Sequence, residues 1–143
     1  MGHIGLTPQS LHKMGGYKVQ GKTSDKAKKL LEDALALEDA GVFSMVLELV
    51  PAEVARIISE NLTVPTIGIG SGPACDGQVL VINDLLCFGS TSSKKHTKHY
   101  ADLNQIISTA VSSYIQEVES MKFPAQENSF EINPVELADL ITK

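Results

Sequence analysis

Apolar residues at Ala27, Leu30, Leu31, Ala34 and Leu35 recur along one helical face, with the capping side chains of Thr23, Ser24 and Asp25 ahead and Gly41 behind. The spacing predicts an amphipathic helix over Lys26 to Ala40. Val42 to Leu47 follows as a nearly continuous apolar run, the pattern of a parallel strand covered on both faces, and it ends in Glu48. Pro51 suits the first turn of a second helix, with Glu53 favouring its N-terminal dipole and an apolar stripe of Val54, Ile57 and Ile58 running to about Asn61. A second strand is expected at Thr66 to Ile69, opening into a glycine turn of Gly68, Gly70 and Gly72 closed by Pro73. A third is expected at Val79 to Ile82, ending at Asn83 and Asp84.

Strand, helix, strand in tandem indicates βαβ units and a parallel sheet. Only about eight residues separate the second and third strands, too few for a crossover helix of ~10 residues or more, so that connection must be degenerate. Ser90 to Ser93 reads as a polar loop. Beyond it Leu103, Ile106, Ile107, Ala110, Val111, Tyr114 and Val118 define a long amphipathic helix that stops before Phe123 and Pro124. From Ala125 the chain turns polar, and Asn133 and Pro134 suit the start of a short last helix through Ile141.

Composition narrows the class. With 143 residues, 43% hydrophobic content and no tryptophan, one core is the expectation. No apolar run approaches the ~18 residues of a membrane helix, and the N-terminus has no signal pattern, so a cytoplasmic protein is expected. A net charge of -5 gives no broad footprint for nucleic acid. The basic cluster Lys94, Lys95, His96, Lys98 and His99 reads as a solvated surface, with anion or partner binding as its alternative. Cys75 and Cys87 form no CxxC pair, which favours reduced, structural thiols.

Ligands of parallel α/β folds sit at the carboxyl ends of strands, which makes Glu48 a candidate catalytic carboxylate; a solvated loop residue or helix cap fits its position equally. His3, before Gly5, Thr7 and Pro8 in a turn-rich segment, is either structural or part of a site. The Gly68–Gly72 turn suits either an anion cradle or tight turning alone. Asp76 and Asp84 fit caps or metal ligands, but no local spacing joins them into a cation loop. His96 and His99 lack a third ligand and read as surface residues.

The segments GHIGLTPQ (2–9), GGYKVQGK (15–22), LLEDALALEDAG (30–41), VLELVPAEVA (46–55), VPTIGIGSGPACDGQVLV (64–81) and FPAQENSF (123–130) resemble, in order and spacing, the ketopantoate hydroxymethyltransferase family. The resemblance implies the C-terminal half of a (β/α)8 TIM barrel, about four parallel strands with helices, over residues 1–130, with a C-terminal tail over 131–143. GHIGL would end the fifth barrel strand. The family reaction joins a one-carbon unit from 5,10-methylenetetrahydrofolate to 3-methyl-2-oxobutanoate, giving 2-dehydropantoate for pantothenate biosynthesis. Magnesium holds the keto acid and acts as a Lewis acid on its ketone. Carried over residue by residue, the resemblance makes Glu48 the proton acceptor and His3 a substrate-lining residue.

The same resemblance places the magnesium ligands, and the lysine and serine that hold the substrate, in the first four βα units, so none is expected in this chain. It also shows departures. Asn83 and Asp84 stand where the family usually reads histidine-aspartate, and Asn128, Ser129 and Phe130 where it reads histidine-serine-phenylalanine; the usual proline-lysine-phenylalanine segment is altered around Lys94 to Thr97. Half a barrel leaves open sheet edges and an uncovered inner face, so a homo-oligomer or a complementing barrel half is the expected partner, beside the keto acid and folate. The competing expectation is a non-catalytic remnant or interaction module that pairs with another barrel half.

Overall fold

The computed structural model describes residues 1–12, 15–89 and 94–141. The Ser90 to Ser93 loop lies outside the described residues. Strand β1 (Gly2–Gly5) leads through helix α1 (Ser24–Asp39) to β2 (Met45–Glu48), then through α2 (Ala52–Asn61) to β3 (Thr66–Ile69). Strand β4 (Gly77–Gln78) follows, then α3 (Ile82–Leu86), α4 (Leu103–Glu119) and α5 (Pro134–Ile141). The four strands form one parallel sheet in chain order, as successive βα units of a barrel require.

The alternation of each strand decides which face meets the helices. Ile4 of β1 and Met45 and Leu47 of β2 are buried on one face with Ala34 of α1 and Ala55 and Ile58 of α2. Burying Met45, Leu47 and Ile58, none of which retains exposed surface, stabilises the chain by about 1.5–3 kcal/mol each. His3, Val46, Glu48, Ile67 and Ile69 alternate onto the other face, the inner face of a barrel, where they are only half-buried.

The helix ends follow the sequence with local differences. Gly41 adopts φ +87 and donates its N–H to the Glu38 carbonyl at 2.8 Å, closing α1. Thr23 precedes α1 but makes no side-chain cap, its carbonyl instead accepting from Ala27 N–H at 2.8 Å. Pro51 sits just before α2 rather than in its first turn.

The third predicted strand is displaced. Ladder pairing falls at Gly77–Gln78, opposite Ile67 and Gly68, with Val79 N–H adding a bond to the Gly68 carbonyl at 3.0 Å. Val79, Val81 and Ile82 are 48%, 51% and 60% exposed, so their apolar character does not report burial here. With no crossover helix, the chain reaches the sheet edge within a few residues of β3 and has left it by Val81. Asn83 and Asp84 consequently lie in α3, and the connection from β3 is degenerate, as its length requires.

Helix α4 forms where its periodicity predicts, yet Gln105 to Glu119 are all exposed, including Ile106, Val111, Tyr114 and Ile115. The total accessible surface of 10323 Å² exceeds by roughly 40% what a compact chain of 15.3 kDa presents. The excess is consistent with the uncovered apolar face of α4 and the half-buried inner face of the sheet.

Candidate active site

Glu48 ends β2 in register with Gly5 of β1 and Ile69 of β3, so it shares the carboxyl rim with the turn that begins at Gly70. His3 lies one residue pair earlier on the same face, opposite Val46. A diagonal neighbour across paired strands is within reach of long side chains. The two meet: His3 Nε2 lies 3.0 Å from Glu48 Oε2, with side-chain exposures of 32% and 16%. When the carboxylate is ionised it only accepts, so the ring N–H donates.

Three features hold the Glu48 backbone. Gly5 has φ +86, and a Cβ there would fall 2.2 Å from the Glu48 carbonyl oxygen, so only glycine lets β1 turn away at this point. The approach is used by Leu6 N–H, which donates to that same carbonyl at 2.8 Å. Leu49 takes a left-handed φ of 50, with its N–H held by the Ile69 carbonyl at 2.9 Å and its own carbonyl by Gln20 N–H at 2.8 Å. Ser71, fully buried, donates its hydroxyl to the Leu47 carbonyl at 2.7 Å and accepts from Val50 N–H at 3.1 Å, bracketing Glu48 and Leu49. The serine inside the glycine turn therefore ties β2 to the β3 exit, which gives that turn a structural role.

Glu48 opens onto a cavity of about 480 Å³ that also takes in Tyr17, Ile69, Asp84, Lys94 and His96. His3 borders a different cavity of about 370 Å³, so its contact with Glu48 crosses the wall between them. Lys94 Nζ pairs with Asp84 Oδ2 at 3.1 Å. His96, expected on the surface, is half-buried over the glycine turn, where a Cβ on Gly70 would lie 3.0 Å from its Cβ and Cγ. Lys98 stands over the Tyr100 ring at 4.9 Å.

Asp76 is engaged elsewhere, accepting from Thr66 N–H at 2.7 Å and Thr66 Oγ1 at 2.9 Å, which holds its carboxyl below the usual range. Both cysteines are buried free thiols. Among the described residues no group of three or more His, Cys, Asp or Glu side chains is placed to hold a metal ion. Glu48 and Asp84, the carboxylates lining the rim cavity, are paired with His3 and Lys94, so among the described residues they do not form a magnesium site.

The sequence marks Glu48 and His3 as candidates, and the structure brings the two together; the sequence does not mark the parts played by Gly5, Leu49 and Ser71. Gly5 sits in a segment with a turn signal; nothing local marks a buried serine or a left-handed leucine.

A parallel sheet with α1 and α2 on one face and an ionisable pair at its carboxyl rim has the architecture of half of a (β/α)8 barrel enzyme. The chain belongs to the ketopantoate hydroxymethyltransferase family, whose model matches residues 1–126. It is 56% identical over 130 residues to the 3-methyl-2-oxobutanoate hydroxymethyltransferase of Geobacter metallireducens, an alignment covering 91% of this chain and 49% of that protein. Against the same-named protein of Pseudothermotoga lettingae it is 58% identical over 130 residues, again 91% of this chain and 49% of the relative. That of Acetivibrio thermocellus gives 55% over 133 residues, 93% and 47%. The chain thus spans about half the length of the curated relatives it matches.

Proposed function

We propose that this chain supplies the proton-abstracting part of a 3-methyl-2-oxobutanoate hydroxymethyltransferase, with Glu48 as the base and His3 as the residue that orients it. The carrying observation is the 3.0 Å contact between His3 Nε2 and Glu48 Oε2 on the inner face at the carboxyl rim. One carboxylate oxygen is engaged by the imidazole, which leaves the other to accept a proton from C3 of the keto acid in the rim cavity. The electron pair left on C3 then forms the new carbon–carbon bond to the one-carbon unit of 5,10-methylenetetrahydrofolate. As that carbon gains one bond to C3 and one to a water oxygen, its two bonds to folate nitrogen break; the nitrogens take up the proton removed by Glu48 and one from the water, and tetrahydrofolate departs. His3 thus acts here through Glu48, as well as standing where the resemblance implies a substrate-lining residue.

Magnesium, when bound, would polarise the ketone, and its ligands would come from the part of the relatives that this chain does not match. Residues 1–130 would form the barrel half and 131–143 its tail, in a cytoplasmic protein. No described helix is long and apolar enough to cross a membrane. A second reading, an interaction module without catalysis, draws on the exposed apolar residues of α4 and the departures at Asn83 and Asn128.

The test is a barrel assembled by co-expressing this chain with the unmatched half of the Geobacter metallireducens relative. Magnesium-dependent exchange of the C3 hydrogen into deuterated water isolates proton removal from the folate step. Glu48→Gln should slow exchange by about 10²- to 10⁴-fold, while keto-acid binding changes far less. An unaltered exchange rate in a folded Glu48→Gln assembly would sink the base assignment; a folded native assembly with no exchange would favour the interaction module.

A further inference from the structure

The segment ahead of α4 departs from the family pattern around Lys94 to Thr97, so the resemblance assigns Lys94 no role. The structure nevertheless brings this residue into the cavity that holds Glu48. The Lys94 carbonyl accepts from both the N–H and the hydroxyl of Thr97 at 3.0 Å, which closes a turn. Tyr100 N–H donates to the Leu85 carbonyl at 2.8 Å, which pins that turn against α3. From there Lys94 Nζ reaches both carboxylate oxygens of Asp84, at 3.1 and 3.4 Å. Asp84 stands in the first turn of α3, its side chain only 13% exposed against 51% for Lys94.

Charge decides what this pair does to the cavity. Two carboxylates line it, Glu48 and Asp84, beside aliphatic side chains that include Leu49, Ile69 and Val81. A poorly solvated wall strengthens the field of whatever charge is left unbalanced. His3 engages Glu48 from the neighbouring cavity, and the Lys94 ammonium balances Asp84. Without that ammonium, a carboxylate largely cut off from water would face the cavity with its full charge and repel an anion. The proposed substrate is itself a carboxylate anion.

We infer that Lys94 is a specificity residue of this cavity: by balancing Asp84 it admits a keto acid as the anion, and it adds nothing to the binding of an uncharged ketone with the same skeleton. The inference rests on the proposed reaction for the identity of the ligand, and on the cavity alone for the charge it must have. Asp84 is then a wall group whose charge has to be offset, and Lys94 the group that offsets it.

Ligand-observed magnetic resonance titration, on the full chain and on the co-expressed assembly, tests this by comparing 3-methyl-2-oxobutanoate with its methyl ester, which keeps the skeleton and loses the charge. Lys94→Met retains most of the aliphatic stem without the ammonium. It should weaken binding of the acid by about three- to tenfold, the size of one unit charge felt across a partly exposed cavity, and leave the ester unchanged. Lys94→Arg should keep the native affinity. Adding Asp84→Asn to Lys94→Met should recover most of the loss, and raising the salt concentration should shrink it. A loss shared by acid and ester, as a purely structural ion pair would give, would overturn the inference. So would no loss at all, no recovery in the double variant, or no binding of the acid to either preparation. Binding is read without proton removal, so failure here is distinguishable from failure of Glu48 as the base, which deuterium exchange reports.

Discussion

Two buried serines in this chain invite opposite predictions. Ser71 Oγ donates to the Leu47 carbonyl at 2.7 Å and accepts from Val50 N–H at 3.1 Å, and neither Ser71 nor Val50 retains more than 2% exposure. Ser71→Ala takes the acceptor from Val50 N–H, while the Leu47 carbonyl keeps its place in the β2–β3 ladder. A buried backbone group without its partner costs about 1–3 kcal/mol, so the loss should be of that size. Ser44, 4% exposed, is buried with no partner for its hydroxyl among the described residues. Ser44→Ala therefore removes an unsatisfied polar atom and should be neutral or slightly stabilising. Urea unfolding of the full chain, followed by circular dichroism, gives both numbers. With a slope of about 2 kcal/mol per molar, the Ser71→Ala midpoint should fall by about 0.5–1.5 M at unchanged slope, and that of Ser44→Ala should not fall. A Ser71→Ala loss below about 0.5 kcal/mol, or an equal loss at Ser44, would refute the view that Ser71 clamps the strand carrying Glu48.

Gly5→Ala combines a positive φ with a methyl group 2.2 Å from the Glu48 carbonyl oxygen, whereas Gly16, at φ +102, has nothing within 4 Å of an added Cβ. Thermal unfolding should show Gly16→Ala costing only the backbone term of about 1–2 kcal/mol and Gly5→Ala clearly more. Acid sensitivity is expected from two carboxyls held below their usual range: Glu38 by the backbone N–H of Thr63, then by its hydroxyl and Val64 N–H, and Asp76 by the N–H and hydroxyl of Thr66. Their folded values lie below the unfolded ones, so their stabilisation is present above the ordinary carboxylate range and is lost as pH falls through the folded values. Urea midpoints between neutral pH and pH 3 should therefore decline less steeply for Asp76→Asn than for the native chain, from a lower starting point; parallel declines would remove Asp76 from the account.

The amino-acid sequence by itself determined most of the order of elements and marked a candidate for the chemistry. Helical spacing in α1, α2, α4 and α5 and the short, mostly apolar runs of β2 and β3 are local signals, and an ionisable residue at a strand end is visible as such, which is why Glu48 stood out as a candidate. The family motifs around it were legible for the same reason, since they are contiguous. What only the tertiary structure decided depends on contacts between distant segments. Strand register brought His3 within 3.0 Å of a residue 45 positions away, and Ser71 became a clamp because β2 and the β3 exit meet around it. The displacement of β4 has the same origin. Val79 to Ile82 has the composition of a strand, but hydrophobicity reports a preference for burial and cannot say whether a second layer is present to satisfy it. Where the sheet runs out of covering helices, backbone pairing fell instead on Gly77 and Gln78, which carry no strand signal of their own.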